Sequence, residues 1–84
     1  MSTVTMYTTS HCPYCRNAKA LLARKGAAAT EIDIESDPRL LLEMMERTGR
    51  RTVPQIFIGD CHVGGFDDLA ALERQGELTA LLAH

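Results

Sequence analysis

The chain has 84 residues, 45% of them apolar and 24% charged, with a net charge of −2. Two independent domains do not fit that length, and the composition is neither disordered nor fibrous, so residues 1–84 read as one domain. The small acidic excess speaks against nucleic-acid binding, because phosphate-tracking domains usually carry a basic surplus. No apolar run approaches the roughly 20 residues of a membrane helix. The start, Met1-Ser2-Thr3-Val4-Thr5, has no basic region followed by an apolar one, so no secretory leader is read and the expectation is cytoplasmic. Three cysteines, two of them close together, fit a reducing compartment better than a disulfide-stapled secreted fold.

In chain order, Val4-Thr5-Met6-Tyr7-Thr8 is β-branched and aromatic enough for a strand. Ser10-His11-Cys12 leads to Pro13, a favoured first helical residue. Cys15, Ala18, Leu21 and Leu22 follow at helical spacing, and Gly26 supplies a stop. Thr30 to Ile34 alternates as a short strand does. Asp37-Pro38 opens a second helix with a Leu41, Met44, Met45 stripe, closed at Gly49.

Val53-Pro54-Gln55-Ile56-Phe57-Ile58 reads as a strand whose proline lies near its beginning, where a missing N–H does least harm. Gly59-Asp60 turns the chain into Cys61-His62-Val63, and Gly64-Gly65 ends that strand. Asp67-Asp68 then opens a helix carrying Leu69 and Leu72, and a last short helix holds Leu78, Leu81 and Leu82. The order β-α-β-α-β-β-α, with a terminal helix, predicts an α/β fold. Strands one and two should be parallel, joined by a right-handed crossover. The last two should form an antiparallel hairpin, completing a mixed four-stranded sheet flanked by helices.

Cys12-Pro13-Tyr14-Cys15 carries the chemistry. With Pro13 first in the helix, Cys12 takes the N-cap and Cys15 the third helical position. Unpaired N–H groups and the positive end of the helix dipole then surround the Cys12 sulfur, which favours thiolate. Cys12 is the expected nucleophile. Cys15, one turn further in, is placed to attack a disulfide formed on Cys12. The same spacing supplies half of a tetrahedral zinc site, whose other ligands would have to come from His11, Cys61 or His62. The proline at the first helical position and the preceding strand favour redox chemistry, and no metal is expected.

Tyr7-Thr8 before Cys12-Pro13-Tyr14-Cys15, then Thr52-Val53-Pro54-Gln55, then Gly64-Gly65-Phe66-Asp67-Asp68-Leu69 together resemble short bacterial dithiol glutaredoxins over essentially the whole chain. Thioredoxins are less similar, since they usually carry Trp before Cys-Gly-Pro-Cys, and this chain has no Trp. The resemblance implies a thioredoxin fold with a cis Val53–Pro54 peptide facing the cysteines. It implies a glutathione-dependent thiol–disulfide oxidoreductase, with glutathione as co-substrate. Its partners would be glutathionylated or disulfide-containing proteins, with ribonucleotide reductase one candidate among them, and the chain would act as a monomer.

By the same resemblance, the backbone at Val53, flanked by Thr52 and Pro54, pairs with the cysteine part of glutathione as an added strand. The helix start at Gly65, Phe66 and Asp67 meets the γ-glutamyl carboxylate on its N–H groups. Asp68 meets the γ-glutamyl ammonium, and Tyr14 walls the site. Arg50 or Arg51 meets the glycine carboxylate. Many relatives carry Lys where this chain has Thr9, which implies a weaker hold on glutathione or thiolate here; His11 reads as an exposed loop histidine, or as a partial substitute when protonated. Cys61, at the start of a short strand, could be glutathionylated or form an intermolecular disulfide, but reads first as a small packed cysteine. Two rivals share the motif. One is a redoxin reduced by thioredoxin reductase, against which the Gly64-Gly65 block speaks. The other is an iron–sulfur carrier joining two chains through Cys12, which Pro13 disfavours.

Overall fold

The computed structural model describes residues 2–83; Met1, where the search for a leader begins, and His84 lie outside them. Its elements are β1 (Val4–Thr8), α1 (Pro13–Arg24), β2 (Ala29–Asp33), α2 (Pro38–Thr48), β3 (Gln55–Ile58), β4 (Cys61–Gly64), α3 (Phe66–Arg74) and α4 (Leu78–Ala83). The strands form one mixed sheet in the order β2-β1-β3-β4. β1 is parallel to β2 and antiparallel to β3, and β3 is antiparallel to β4. The expected parallel pair and the expected hairpin are both present.

Alternation along the strands divides the core. Val4, Met6, Ile56 and Ile58 turn to one side and join Ala18, Leu21 and Leu22 of α1, Leu69 of α3, and Leu78 and Leu82 of α4. Tyr7 and Phe57 turn to the other side and meet Met44 of α2, with Leu41, Ile32, Ile34 and Val53 around them. The Leu41, Met44, Met45 stripe therefore points one fully buried residue, Met44, at the sheet.

Several boundaries differ from the sequence expectation. The third strand begins at Gln55 rather than Val53, because Pro54 has no N–H to give to the ladder. The second strand spans Ala29–Asp33, one residue earlier than the alternation suggests. In β4 the register shifts: Ile56 faces Gly64 while Phe57 faces His62, so one extra residue is accommodated there as a bulge. α3 starts at Phe66 with Gly65 as its N-cap, ahead of the Asp67-Asp68 pair. Cys61 is a correction. It is exposed, not packed, because it follows the Gly59-Asp60 turn on a strand at the sheet edge.

Candidate active site

The loop after β1 delivers Cys12 to the start of α1. Ser10 anchors that loop, donating to Glu35 Oε1 through its amide (3.2 Å) and its hydroxyl (3.1 Å). Cys12 then caps the helix with its own sulfur: the Cys15 amide donates to Cys12 Sγ at 3.1 Å, and the Arg16 amide donates to the Cys12 carbonyl at 3.2 Å. A thiol replaces the usual Ser, Thr or Asp oxygen at this position. Pro13 and Tyr14 stay outside on the first turn, with Tyr14 59% exposed.

The two sulfurs are not equivalent. Cys12 is 8% exposed and Cys15 2%. Burial pushes the Cys15 thiol up, its contact with the Cys12 side chain adds to the rise, and hydrogen bonds to Thr8 and Thr9 partly oppose it. Cys15 is thereby held as a thiol beneath the outer sulfur. Across from Cys12 the Val53–Pro54 peptide is cis. As a thiol, Cys12 donates to the Val53 carbonyl at 3.7 Å.

Beside this pair lies an open hollow of about 230 Å³. Tyr14, Arg50, Thr52, Val53, Pro54, Gly65, Phe66, Asp67 and Asp68 line it, so the residues expected at glutathione, Arg51 apart, meet in one place. Each arrives by a local device. Gly49 ends α2 in the left-handed region, at φ 69°, and its amide returns to the Met45 carbonyl. Thr48 Oγ1 accepts the Arg50 amide at 3.0 Å, which turns Arg50 back toward the hollow. Arg51 is exposed and does not line it, whereas Arg50 does.

Opposite, Asp68 Oδ2 accepts the Gly65 amide at 3.0 Å and the Arg50 guanidinium at 3.1 Å. These two donors, the amide first, hold the Asp68 carboxyl below the usual range. Gly64 permits that closeness. It sits at φ +114°, and a Cβ there would overlap the Asp68 carboxylate. The first N–H groups of α3 have no partners within the helix and open toward an anion. Tyr14 and Phe66 stack at 6.4 Å and form an aromatic wall.

His11 is exposed, and Thr9 is half-buried with its carbonyl accepting the Thr8 hydroxyl. Among the described residues, no group of three or more His, Cys, Asp or Glu side chains comes together as a metal site would require. Sequence reasoning gave Gln55 no role of its own, considered His62 only as a zinc ligand, and missed Arg47. Arg47 lies 4.0 Å over the Phe57 ring and donates to the Tyr7 hydroxyl at 2.8 Å.

A mixed four-stranded sheet, with a Cys-x-x-Cys pair capping its first helix and a cis proline opposite, defines a thioredoxin-fold thiol–disulfide oxidoreductase. Comparison with known proteins narrows the class. The glutaredoxin family model matches residues 4–63. A glutaredoxin of Pseudomonas aeruginosa is 54% identical over 83 residues, covering 99% of each chain. The solution structure of glutaredoxin from Brucella melitensis is 61% identical with a TM-score of 0.86, over 98% of this chain and 89% of that one. A crystal structure of a buckwheat glutaredoxin–glutathione complex superposes with a TM-score of 0.90 at 29% identity, over 98% of this chain and 77% of that one. This chain belongs to the glutaredoxin family.

Proposed function

We propose that Cys12 is the nucleophile and Cys15 the resolving thiol of this glutathione-dependent thiol–disulfide oxidoreductase. The observation that carries the assignment is the Cys15 amide on the Cys12 sulfur, with Cys15 buried beneath it. A sulfur that accepts an N–H of the first helical turn meets a donor for the charge it carries as nucleophile. With a glutathione mixed disulfide, Cys12 thiolate attacks the glutathionyl sulfur. The Cys12–glutathione disulfide forms, and the substrate thiolate leaves and takes up a proton. A second glutathione thiolate attacks the glutathionyl sulfur, releasing glutathione disulfide and restoring Cys12 thiolate. With a protein disulfide, Cys12 thiolate attacks one substrate sulfur and expels the other as a thiolate, which takes up the Cys15 proton. Cys15 thiolate then attacks the Cys12 sulfur of the mixed disulfide and expels the remaining substrate thiolate, which is protonated from solvent. Two glutathiones then reduce the Cys12–Cys15 bridge.

The hollow is read as the glutathione site. Its lining carries the charges a zwitterionic tripeptide calls for: Asp68 for the ammonium, the α3 start at Gly65, Phe66 and Asp67 for the γ-glutamyl carboxylate, and Arg50, which pairs with Asp68 at 3.1 Å, for the glycine carboxylate. Thr52, Val53 and Pro54 supply a backbone edge between them, and Tyr14 closes one side. The buckwheat relative, whose structure is of a glutathione complex, supports this reading. One chain carries both sulfurs and the whole hollow, which supports reading the reaction as the work of a single copy. Glutathionylated proteins and protein disulfides, that of ribonucleotide reductase included, are the substrate classes. The reducing cytoplasm is the compartment that keeps such a pair working.

The test is turnover of a small glutathione mixed disulfide, coupled through glutathione reductase to NADPH oxidation. Cys12→Ser should abolish it, whereas Cys15→Ser should retain it and lose only protein-disulfide reduction. Equal loss in both variants contradicts the assignment.

A further inference from the structure

Gln55 is 1% exposed, the one polar residue of the strand Gln-Ile-Phe-Ile. Its Nε2 donates to the Thr52 carbonyl at 3.0 Å and reaches Thr52 Oγ1 at 3.4 Å. That direction of the amide leaves Oε1 facing His62, whose Nε2 lies 2.8 Å away. A carbonyl oxygen only accepts, so His62 Nε2 carries the proton and donates. The other direction of the amide would set Oε1 against the Thr52 carbonyl, oxygen to oxygen.

The bulge in β4 makes this meeting possible, since it places His62 directly across from Phe57. The two rings lie 5.0 Å apart at 32°. His62 is thus held by its ring and spends its Nε2–H on Gln55. Neither Gln55 nor His62 lines the hollow, yet Thr52, at the far end of the chain of hydrogen bonds, does.

We infer that His62 is a positioning residue: through Gln55 it holds the Thr52 carbonyl, and with it the Thr52–Val53–Pro54 edge, in the geometry that receives glutathione. Without His62 Nε2–H, the buried Gln55 oxygen loses its donor and the side chain must shift to find another, which loosens its hold on the Thr52 carbonyl. The effect stops short of the nucleophile, because the amide that supports Cys12 belongs to α1. The inference rests on the hollow being the glutathione site.

Steady-state kinetics on the glutathione mixed disulfide separate the possibilities, with His62→Phe removing the donor and keeping a ring on Phe57. KM should rise about five-fold, the equilibrium worth of one net hydrogen bond. The kcat and the alkylation rate of Cys12 should stay within about two-fold, since neither depends on the Thr52 edge. His62→Gln, which restores an N–H donor, should recover most of the KM. An unchanged KM in folded His62→Phe overturns the inference, as does a parallel fall in kcat and Cys12 alkylation, which would mark a merely structural role. If the variants do not fold, nitrogen chemical shifts of the wild-type imidazole decide: the Nε2–H form supports the relay, and the Nδ1–H form refutes it. A wild-type protein with no glutathione-dependent turnover would instead refute the glutathione reading, leaving the imidazole measurement to judge the relay by itself.

Discussion

The two faces of the sheet are built on different principles. Beneath α1, α3 and α4 the contact is mostly aliphatic: Val4, Met6, Leu21, Leu22, Ile56, Ile58, Leu69, Leu78 and Leu82 close together. On the α2 side only Tyr7, Met44 and Phe57 form the buried cluster. That face is finished with polar tips, Arg47 on Tyr7 and Phe57, and His62 on Phe57 and Gln55. Burial of apolar area stabilises without direction, whereas hydrogen bonds add little net stability but fix orientation. The aliphatic face therefore holds the fold, and the aromatic-polar face aims the segment from Arg50 to Gln55 at the hollow.

Breaking the aliphatic face should show in stability and hardly in recognition. Leu22→Ala, at a fully buried site, should cost about 3 kcal/mol, from lost transfer energy and the cavity left behind. Denaturant unfolding measures it, and KM for the glutathione mixed disulfide should change by less than about two-fold where the variant is folded. A large KM change would blur the division between the faces. On the other face, Tyr7→Phe removes the acceptor of Arg47 and should cost about 1 kcal/mol, read in the same unfolding experiment.

The smallest effect is a dependence on pH. Burial, then the positive charge of Arg50, lowers the affinity of His62 for a proton, and Asp68 only partly offsets this. The unfolded chain then binds the proton first, at an ordinary histidine value of about 6.5. Stability tied to His62 is present above that value and declines as the pH falls through it. Unfolding midpoints of wild type should fall from about pH 7 to pH 5 relative to those of His62→Phe. Parallel pH profiles would remove His62 from the explanation. Asp68, whose proton affinity is also lowered, acts in a separate window: its contribution is lost only as the pH falls through the carboxylate range, below about pH 4.

Much of this was legible in the residues. The Cys12 cap follows from the proline at the first helical position and the spacing to Cys15, which are local properties of four residues. The parallel crossover and the hairpin follow from the lengths of the connections. The hollow itself needed the family resemblance, because Arg50 and Asp68 are 18 positions apart and nothing local pairs them. The relay from His62 to Thr52 was not legible at all. It depends on the register of β3 against β4, and the extra residue in β4 determines which side chain lies opposite Phe57. Cys61 misled for a related reason: a small cysteine in a strand looks like core until the strand is known to lie at an edge.

The central claim, that Cys12 is the attacking sulfur beside a glutathione site, is tested most directly by trapping. Cys15→Ser protein, treated with glutathione disulfide and digested for peptide mass mapping, cannot close the Cys12–Cys15 bridge and should hold one glutathionyl group on Cys12. The same treatment of the variant carrying Cys12→Ser as well should leave only the slow labelling of exposed Cys61. Glutathione found first on Cys61, or equally on Cys12 and Cys61 in the Cys15→Ser protein, would contradict the account.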